Sequence, residues 1–235
     1  MEFMGSSHTV RTGDGTRLHV VEWAPDPTVT ERTEVLLVHG LASNAYVWEG
    51  VGRRLAAKGH RTVAVDQRGH GRSDKPERGY DFGTLIEDLR TVLVRLGLDR
   101  PLVAGQSWGG NVVVELAFHH PDEVTAITGV DGGFIDLASS FPTWESALEA
   151  LTPPDLDGMT MEDAGAWLRL QHPDWPETGI AGTVENLQVA ENGRLERRLP
   201  LDRHLEILHQ LWNHRPARRF PRLAVPVLLV LATGP

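Results

Sequence analysis

The 235-residue sequence predicts an α/β protein with a mostly parallel, open β-sheet that carries helices on both faces. Short continuous apolar runs, typical of strands buried on both sides of a parallel sheet, recur in the first half of the chain. Segments with a helical spacing of apolar residues separate these runs between residues 35 and 130. Such alternation of strand and helix is the sequence signature of an α/β sheet.

The elements follow in order from the N-terminus. Two alternating runs, residues 8–12 and 17–23, flank Gly13-Asp14-Gly15, which predicts an antiparallel β-hairpin. The predicted buried strands are residues 35–38, 62–65, 102–104 and 124–130, and the predicted helices between them are residues 48–57, 82–96 and 111–119.

The alternation stops after Asp131. Residues 134–215 have several short helical patterns, many prolines and no convincing strand, and residues 226–232, PVLLVLA, return to the pattern of a buried strand. The chain therefore divides into residues 1–131, an insert at residues 132–216, and a return to the sheet at residues 217–235.

Composition limits the classes of partner. Asp and Glu number 32 against 23 Lys and Arg, a formal charge of −9, which disfavours nucleic acid or an anionic membrane as a partner. The absence of cysteine excludes thiolate catalysis and cysteine-based metal sites. No apolar run approaches the roughly 20 residues of a transmembrane helix, and residues 1–10 lack the apolar centre of a signal peptide. We expect a cytoplasmic protein.

Gly105-x-Ser107-x-Gly109 lies between a predicted strand and a predicted helix. A sharp strand-to-helix turn in this setting lifts a serine hydroxyl above the edge of the sheet, and small flanking residues let the backbone enter the turn. Ser107 is therefore a candidate nucleophile. The alternative is a glycine-rich turn with a capping serine.

His39-Gly40-Leu41 directly follows the first buried strand. Loops at the carboxyl ends of parallel strands meet at one edge of the sheet, so we expect this loop beside Ser107. The backbone N–H groups of Leu41 and Trp108 are then candidates for an oxyanion hole. In this interpretation His39 is structural.

Four segments, HGLASN, DQRGHGRSD, GQSWGG and PVLLVLA, together resemble the α/β-hydrolase fold family over almost the whole chain after the hairpin. The resemblance implies a serine esterase-like enzyme with no metal or organic cofactor. It also implies that the insert is a helical cap over the active site, in which Phe141, Trp144 and Trp167 line an apolar substrate pocket, although packing within the cap explains these residues equally well.

A serine nucleophile needs a base, and in this family the order along the chain is serine, acid, histidine. After Ala232 the sequence offers only Thr233, Gly234 and Pro235, so the expectation is that the chain stops before its acid, its base and the final strand and helices. Asp131 is an alternative acid, or else a turn residue. The positions of His119, His120 and His172 do not suit a base.

The sequence thus favours a serine hydrolase that cleaves a small or medium apolar ester, lactone or thioester through an acyl-enzyme on Ser107, inactive or weak as the chain stands. A C–C hydrolase, a cofactor-free perhydrolase and a non-catalytic protein that binds a small apolar ligand are the alternatives. Residues 226–232 are also expected to form an exposed sheet edge that favours self-association.

Overall fold

The computed structural model describes residues 3–30 and 32–232. In this part of the chain seven strands form one sheet, and a separate two-stranded hairpin lies in the insert. The strands are β1 (Ser6–Arg11), β2 (Arg17–Trp23), β3 (Glu34–Val38), β4 (Arg61–Val65), β5 (Leu102–Gln106), β6 (Ala126–Val130), β7 (Leu187–Val189), β8 (Leu195–Arg197) and β9 (Val227–Val230).

The large sheet has the order β1-β2-β4-β3-β5-β6-β9. Strands β1 and β2 are antiparallel to their neighbours, and all other pairs are parallel. The helices are α1 (Glu49–Ala57), α2 (Phe82–Leu96), α3 (Trp108–His119), α4 (Leu137–Ser140), α5 (Trp144–Leu151), α6 (Met161–Gln171), α7 (Glu177–Val184) and α8 (Leu201–Asn213).

The central strand β3 shows why continuous apolar runs form this sheet. Leu36 and Val38 point into one hydrophobic cluster, which includes residues of α2 and α3. Val35 and Leu37 point into a second cluster on the opposite face, together with Trp23. Because both faces are buried, polar residues at alternate positions would lose their hydration, and residues 35–38 of this strand are all apolar.

The predicted α/β fold, with its N-terminal hairpin and alternating strands and helices, is confirmed. The prediction that residues 134–215 contain no strand is wrong, since β7 and β8 form a hairpin there. Strands of three residues are too short to show a clear alternation of apolar and polar residues in the sequence. The signal was Asn192-Gly193, a favoured hairpin turn, and Gly193 adopts a φ of 80°.

Strand β9 forms an edge of the large sheet. It pairs with β6 on one side, and no neighbour borders its other side in the described part of the chain. Leu228 is 58% exposed. Among the described residues, every helix is too short or too polar to cross a lipid bilayer.

Candidate active site

Ser107 lies between the end of β5 and the start of α3, the place that the motif predicts. Its φ of 50° and ψ of −125° are strained for a residue with a side chain. Its N–H donates to the carbonyl oxygen of Val130 at 3.0 Å, and its carbonyl oxygen accepts from the N–H of Gly110 at 2.9 Å. The neighbouring β6 and the first turn of α3 therefore hold this backbone in place.

Close backbone contacts explain the glycines on either side of Ser107. A Cβ added to Gly105 would lie 2.2 Å from the carbonyl oxygen of Gly109. A Cβ added to Gly109 would lie 2.4 Å from the carbonyl oxygen of His39. No side chain fits at either position. The residues 105–109, which we call the nucleophile turn, are thus shaped by contacts between backbones.

The loop after β3, residues 39–44, which we call the Gly40 loop, packs directly against the nucleophile turn. A Cβ added to Gly40 would lie 2.5 Å from Oε1 of Gln106 and 3.1 Å from Cβ of Ser107. Within the described residues, neither the N–H of Leu41 nor that of Trp108 donates to another backbone group. The structure therefore brings the two predicted oxyanion donors onto adjoining segments beside Ser107.

His39 holds this loop and has no free nitrogen. Its Nε2 accepts the N–H of Gln67 at 3.0 Å, so its Nδ1 carries the proton and donates to the carbonyl oxygen of Gly40 at 2.7 Å. Burial lowers the pKa of His39, which keeps the ring neutral. The bond to Gly40 fixes the peptide plane that carries the N–H of Leu41. His39 is structural, in agreement with the sequence interpretation.

The loop of residues 66–74, the DQRGHGRSD segment, is also structural. Buried Asp66 accepts hydrogen bonds from the N–H groups of Ala45 at 2.6 Å and Arg72 at 2.8 Å. Burial by itself raises the pKa of Asp66, but the hydrogen bond from His19 and the neighbouring charges lower it overall. Asp66 thus fixes the segment that follows the Gly40 loop.

Asp131, the alternative acid, follows β6 with a φ of 44°, and its N–H donates to Val230 at 2.7 Å. The next residue, Gly132, is in close contact with Ser107, because a Cβ on Gly132 would lie 2.1 Å from the carbonyl oxygen of Ser107. The Asp131 side chain is exposed. Its turn therefore supports the nucleophile turn, while its carboxylate pairs with no histidine among the described residues.

The histidines considered as bases have other partners. Nε2 of His119 lies 3.3 Å from Glu115, His120 lies near Glu87 and Glu123, and His172 stacks on Trp175 with ring centroids 3.9 Å apart. The hydroxyl of Ser107 caps no backbone N–H of α3. The described residues thus present the serine and its candidate oxyanion donors, and no histidine paired with that serine.

A buried polar cluster on α3 was missed from the sequence. Glu115, 3% exposed, accepts from Nε2 of His214 at 2.7 Å and from Nε of Arg219 at 2.6 Å. Asn111 donates to Nδ1 of His214 at 2.9 Å, and its Oδ1 accepts from the N–H of Gly133 at 3.2 Å. Burial by itself raises the pKa of Glu115, but these partners lower it overall. The only sign of this cluster in the sequence was the polar pair Asn111 and Glu115, four residues apart on a mostly apolar helix.

An apolar cavity of about 480 Å³ lies between the Gly40 loop and the insert. Its wall includes Ala42 and Ser43 from that loop and Trp167 from the insert, but not Ser107. Trp144 instead packs on Trp212, with ring centroids 5.9 Å apart, and Phe141 packs against the main core. Of the three predicted substrate-binding residues, the cavity includes one, Trp167.

No group of three or more His, Asp or Glu side chains is placed to hold a metal ion within residues 3–30 and 32–232.

The fold agrees with the comparisons. Residues 34–233 match the alpha/beta hydrolase fold family, and the chain belongs to that family. The crystal structure of E-2-(acetamidomethylene)succinate hydrolase superposes with a TM-score of 0.76 and 26% identity, covering 96% of this chain and 80% of that one. A thioesterase domain from the curacin biosynthetic pathway gives a TM-score of 0.73 at 21% identity, covering 96% and 82% of the two chains.

Curated relatives are similar over shorter segments. Epoxide hydrolase B of Mycobacterium tuberculosis is 35% identical over 133 residues, which is 56% of this chain and 37% of the relative. A 2-(acetamidomethylene)succinate hydrolase of Mesorhizobium japonicum is 37% identical over 97 residues, 41% of this chain and 34% of the relative. The aligned segments thus span little more than a third of the curated relatives. The family and these names support a hydrolase.

Proposed function

We propose that this protein is a serine hydrolase that cleaves a small or medium apolar ester, lactone or thioester through an acyl-enzyme on Ser107. The observation that carries the proposal is the strained backbone of Ser107 at the amino end of α3, against the Gly40 loop. A serine that only capped a helix would use its hydroxyl for a backbone N–H, and the hydroxyl of Ser107 does not.

In the proposed reaction Oγ of Ser107 attacks the carbonyl carbon, and its proton passes to a general base. The carbonyl oxygen becomes an oxyanion, to which the N–H groups of Leu41 and Trp108 donate. Loss of one such donor costs about 10²–10³ in rate in hydrolases of this kind. The alcohol or thiol then leaves with a proton, and water cleaves the acyl-enzyme and restores the hydroxyl of Ser107.

The apolar cavity supports the choice of substrate class. Its volume of about 480 Å³ is in the usual range for small-molecule sites, and Leu156, Met159 and Trp167 give it apolar walls. Ala42, on its wall, follows Leu41 directly, so a carbonyl group at the oxyanion donors would have its chain near the cavity. Because an epoxide hydrolase is among the relatives, epoxides should also be tested as substrates.

The test is to trap the acyl-enzyme. The chain is incubated with a p-nitrophenyl ester, quenched in acid and examined by intact-mass and peptide mass spectrometry. Because no histidine is paired with Ser107 among the described residues, we expect a slow reaction that relies on the oxyanion donors and on binding. Its acyl adduct lies on Ser107, is absent in Ser107→Ala and is retained in Ser140→Ala, a control at an exposed serine of the insert. An adduct on another residue, or equal turnover by Ser107→Ala, would overturn the proposal. Binding of the ester with no turnover and no adduct would favour the non-catalytic binding protein.

A further inference from the structure

One arginine on the wall of the apolar cavity, Arg197, has most of its hydrogen-bond donors unused and pairs with no carboxylate among the described residues. Arg197, at the end of β8, lies on the cavity wall. One of its terminal nitrogens donates to the carbonyl oxygen of Pro154. A guanidinium group has five N–H donors, so most of those of Arg197 remain available to a ligand.

Arg197 has no carboxylate within salt-bridge distance among the described residues, although most arginines of the insert do. Arg194 on the same hairpin pairs with Asp157, and Arg169 pairs with Glu177 at 2.8 Å. Asp155, also on the cavity wall, attracts Arg197 from beyond that distance, and its side chain is exposed. Burial lowers the pKa of Arg197, a sign that its charge is incompletely compensated.

The second arginine of the cavity, Arg198, is already occupied. Its Nε donates to the carbonyl oxygen of Glu185 at 2.9 Å and its Nη1 to Oε1 of Gln188 at 3.1 Å. Its Nη2 also lies 3.9 Å from the Glu185 carboxylate. Arg197 is therefore the cationic group of this cavity with capacity for an anion.

We propose that the cavity binds an apolar chain that ends in a carboxylate, with the chain against Leu156, Met159 and Trp167 and the carboxylate paired with Arg197. The planar guanidinium matches a carboxylate in a two-point pair, and such charge-assisted hydrogen bonds are the stronger kind. This assignment rests on the proposed function in one respect, that the bound chain is the acyl part of the substrate. The substrate would then be an ester or thioester of a dicarboxylic acid.

The test measures binding alone, so that it does not depend on Ser107. Octanoate and octanamide are titrated by isothermal calorimetry into the wild-type chain and into Arg197→Gln, Arg197→Lys and Arg194→Gln. Octanoate and octanamide have the same chain and differ in charge. Arg194→Gln is the matched control, because it removes a charge from the same hairpin outside the wall of this cavity.

We expect the wild type and Arg194→Gln to prefer octanoate by about 10- to 100-fold, as for a hydrogen-bonded charge pair. Arg197→Gln abolishes the preference and leaves octanamide binding unchanged, and Arg197→Lys keeps part of it. Equal affinity of the two ligands for the wild type, no binding of either, or a preference that survives in Arg197→Gln would overturn the proposal. If Arg197→Gln does not fold, the wild-type comparison and Arg197→Lys decide.

The outcomes separate this proposal from the proposed function. An acyl adduct on Ser107 together with no octanoate preference would leave the hydrolase standing and remove the carboxylate site. An octanoate preference that needs Arg197, with no adduct on Ser107, would show an acid-binding cavity in a protein that does not use this serine.

Discussion

Backbone contacts fix the nucleophile turn, whereas side chains define the cavity of the insert. Around Ser107, a Cβ added to Gly105, Gly109 or Gly132 would lie 2.1–2.4 Å from a backbone carbonyl oxygen. Around Arg197 the wall includes residues of α6, of the β7–β8 hairpin and of the segment between α5 and α6. A backbone-built site tolerates little change at its glycines, while a side-chain site changes its ligand with single substitutions. In the proposed function, the chemistry and the substrate selectivity thus belong to two regions with different constraints.

A pair of glycine substitutions in two helices tests this difference with the largest expected effect. Gly→Ala inside a helix normally stabilises by about 1 kcal/mol, because glycine loses more backbone entropy on folding. Gly165→Ala in α6 should follow this rule, since an added Cβ meets only the end of Arg169 at 3.4 Å and Val184 at 3.9 Å. Gly109→Ala in α3 should destabilise by about 3 kcal/mol, because its Cβ would lie 2.4 Å from a carbonyl oxygen.

The measurement is the free energy of unfolding from urea titrations of the two variants and the wild type. The sign of the change in unfolding free energy decides the test, because both substitutions are the same chemical change in a helix. If Gly109→Ala is as stable as Gly165→Ala, the nucleophile turn is not packed as closely as described.

The cluster around Glu115 joins α3 to the segment after α8, and its loss should have the next largest effect. Glu115→Gln keeps the shape but removes the charge that His214 and Arg219 face, for an expected cost of about 2 kcal/mol near pH 7. The pKa of Glu115 in the folded state is held below the usual range of a glutamate. Its charge therefore stabilises the fold at pH values above that range, and this stabilisation is lost as the pH falls through the lower pKa of the folded state.

The difference in unfolding free energy between wild type and Glu115→Gln should therefore shrink as the pH falls below the ordinary pKa of a glutamate, about 4.3, and on through the lower pKa of Glu115 in the folded state. His119, His214 and Arg219 all face this carboxylate, and both proteins keep them, so the difference isolates Glu115. A difference that stays constant or grows on acidification would contradict the buried ion pair.

The exposed edge at β9 should give the smallest change in stability but a clear change in association. We propose that chains associate through this edge, because four consecutive apolar residues there are exposed and none is charged. Leu228→Lys places a charge on the edge at a residue that is 58% exposed, so stability should change by less than about 0.5 kcal/mol. Size-exclusion chromatography should show a shift toward the monomer. An unchanged elution profile would remove this edge as the contact.

Features set by the backbone and features set by distant side chains also differ in how far the sequence predicts them. Burial of β3 on both faces leaves a continuous apolar run, and the close approach at Gly105 and Gly109 leaves glycines at fixed spacing, so both are visible in the printed sequence. The contact between Glu115 and His214 joins residues 99 positions apart and leaves no local pattern.

The proposed role of Arg197 was equally invisible in the sequence. It depends on there being no carboxylate within salt-bridge distance of this side chain among the described residues. Its hairpin could have been found from Asn192-Gly193, which is a local signal. The general rule from these cases is that constraints on the backbone are readable from sequence, whereas partners between distant side chains require the structure.

The most direct test of the central claim is a crystal structure of the chain after reaction with a fluorophosphonate, whose phosphonyl oxygen takes the place of the oxyanion. We expect a covalent bond from phosphorus to Oγ of Ser107, with the phosphonyl oxygen about 2.7–3.1 Å from the backbone nitrogens of both Leu41 and Trp108. An adduct on another residue, or a phosphonyl oxygen directed away from these two N–H groups, would contradict it.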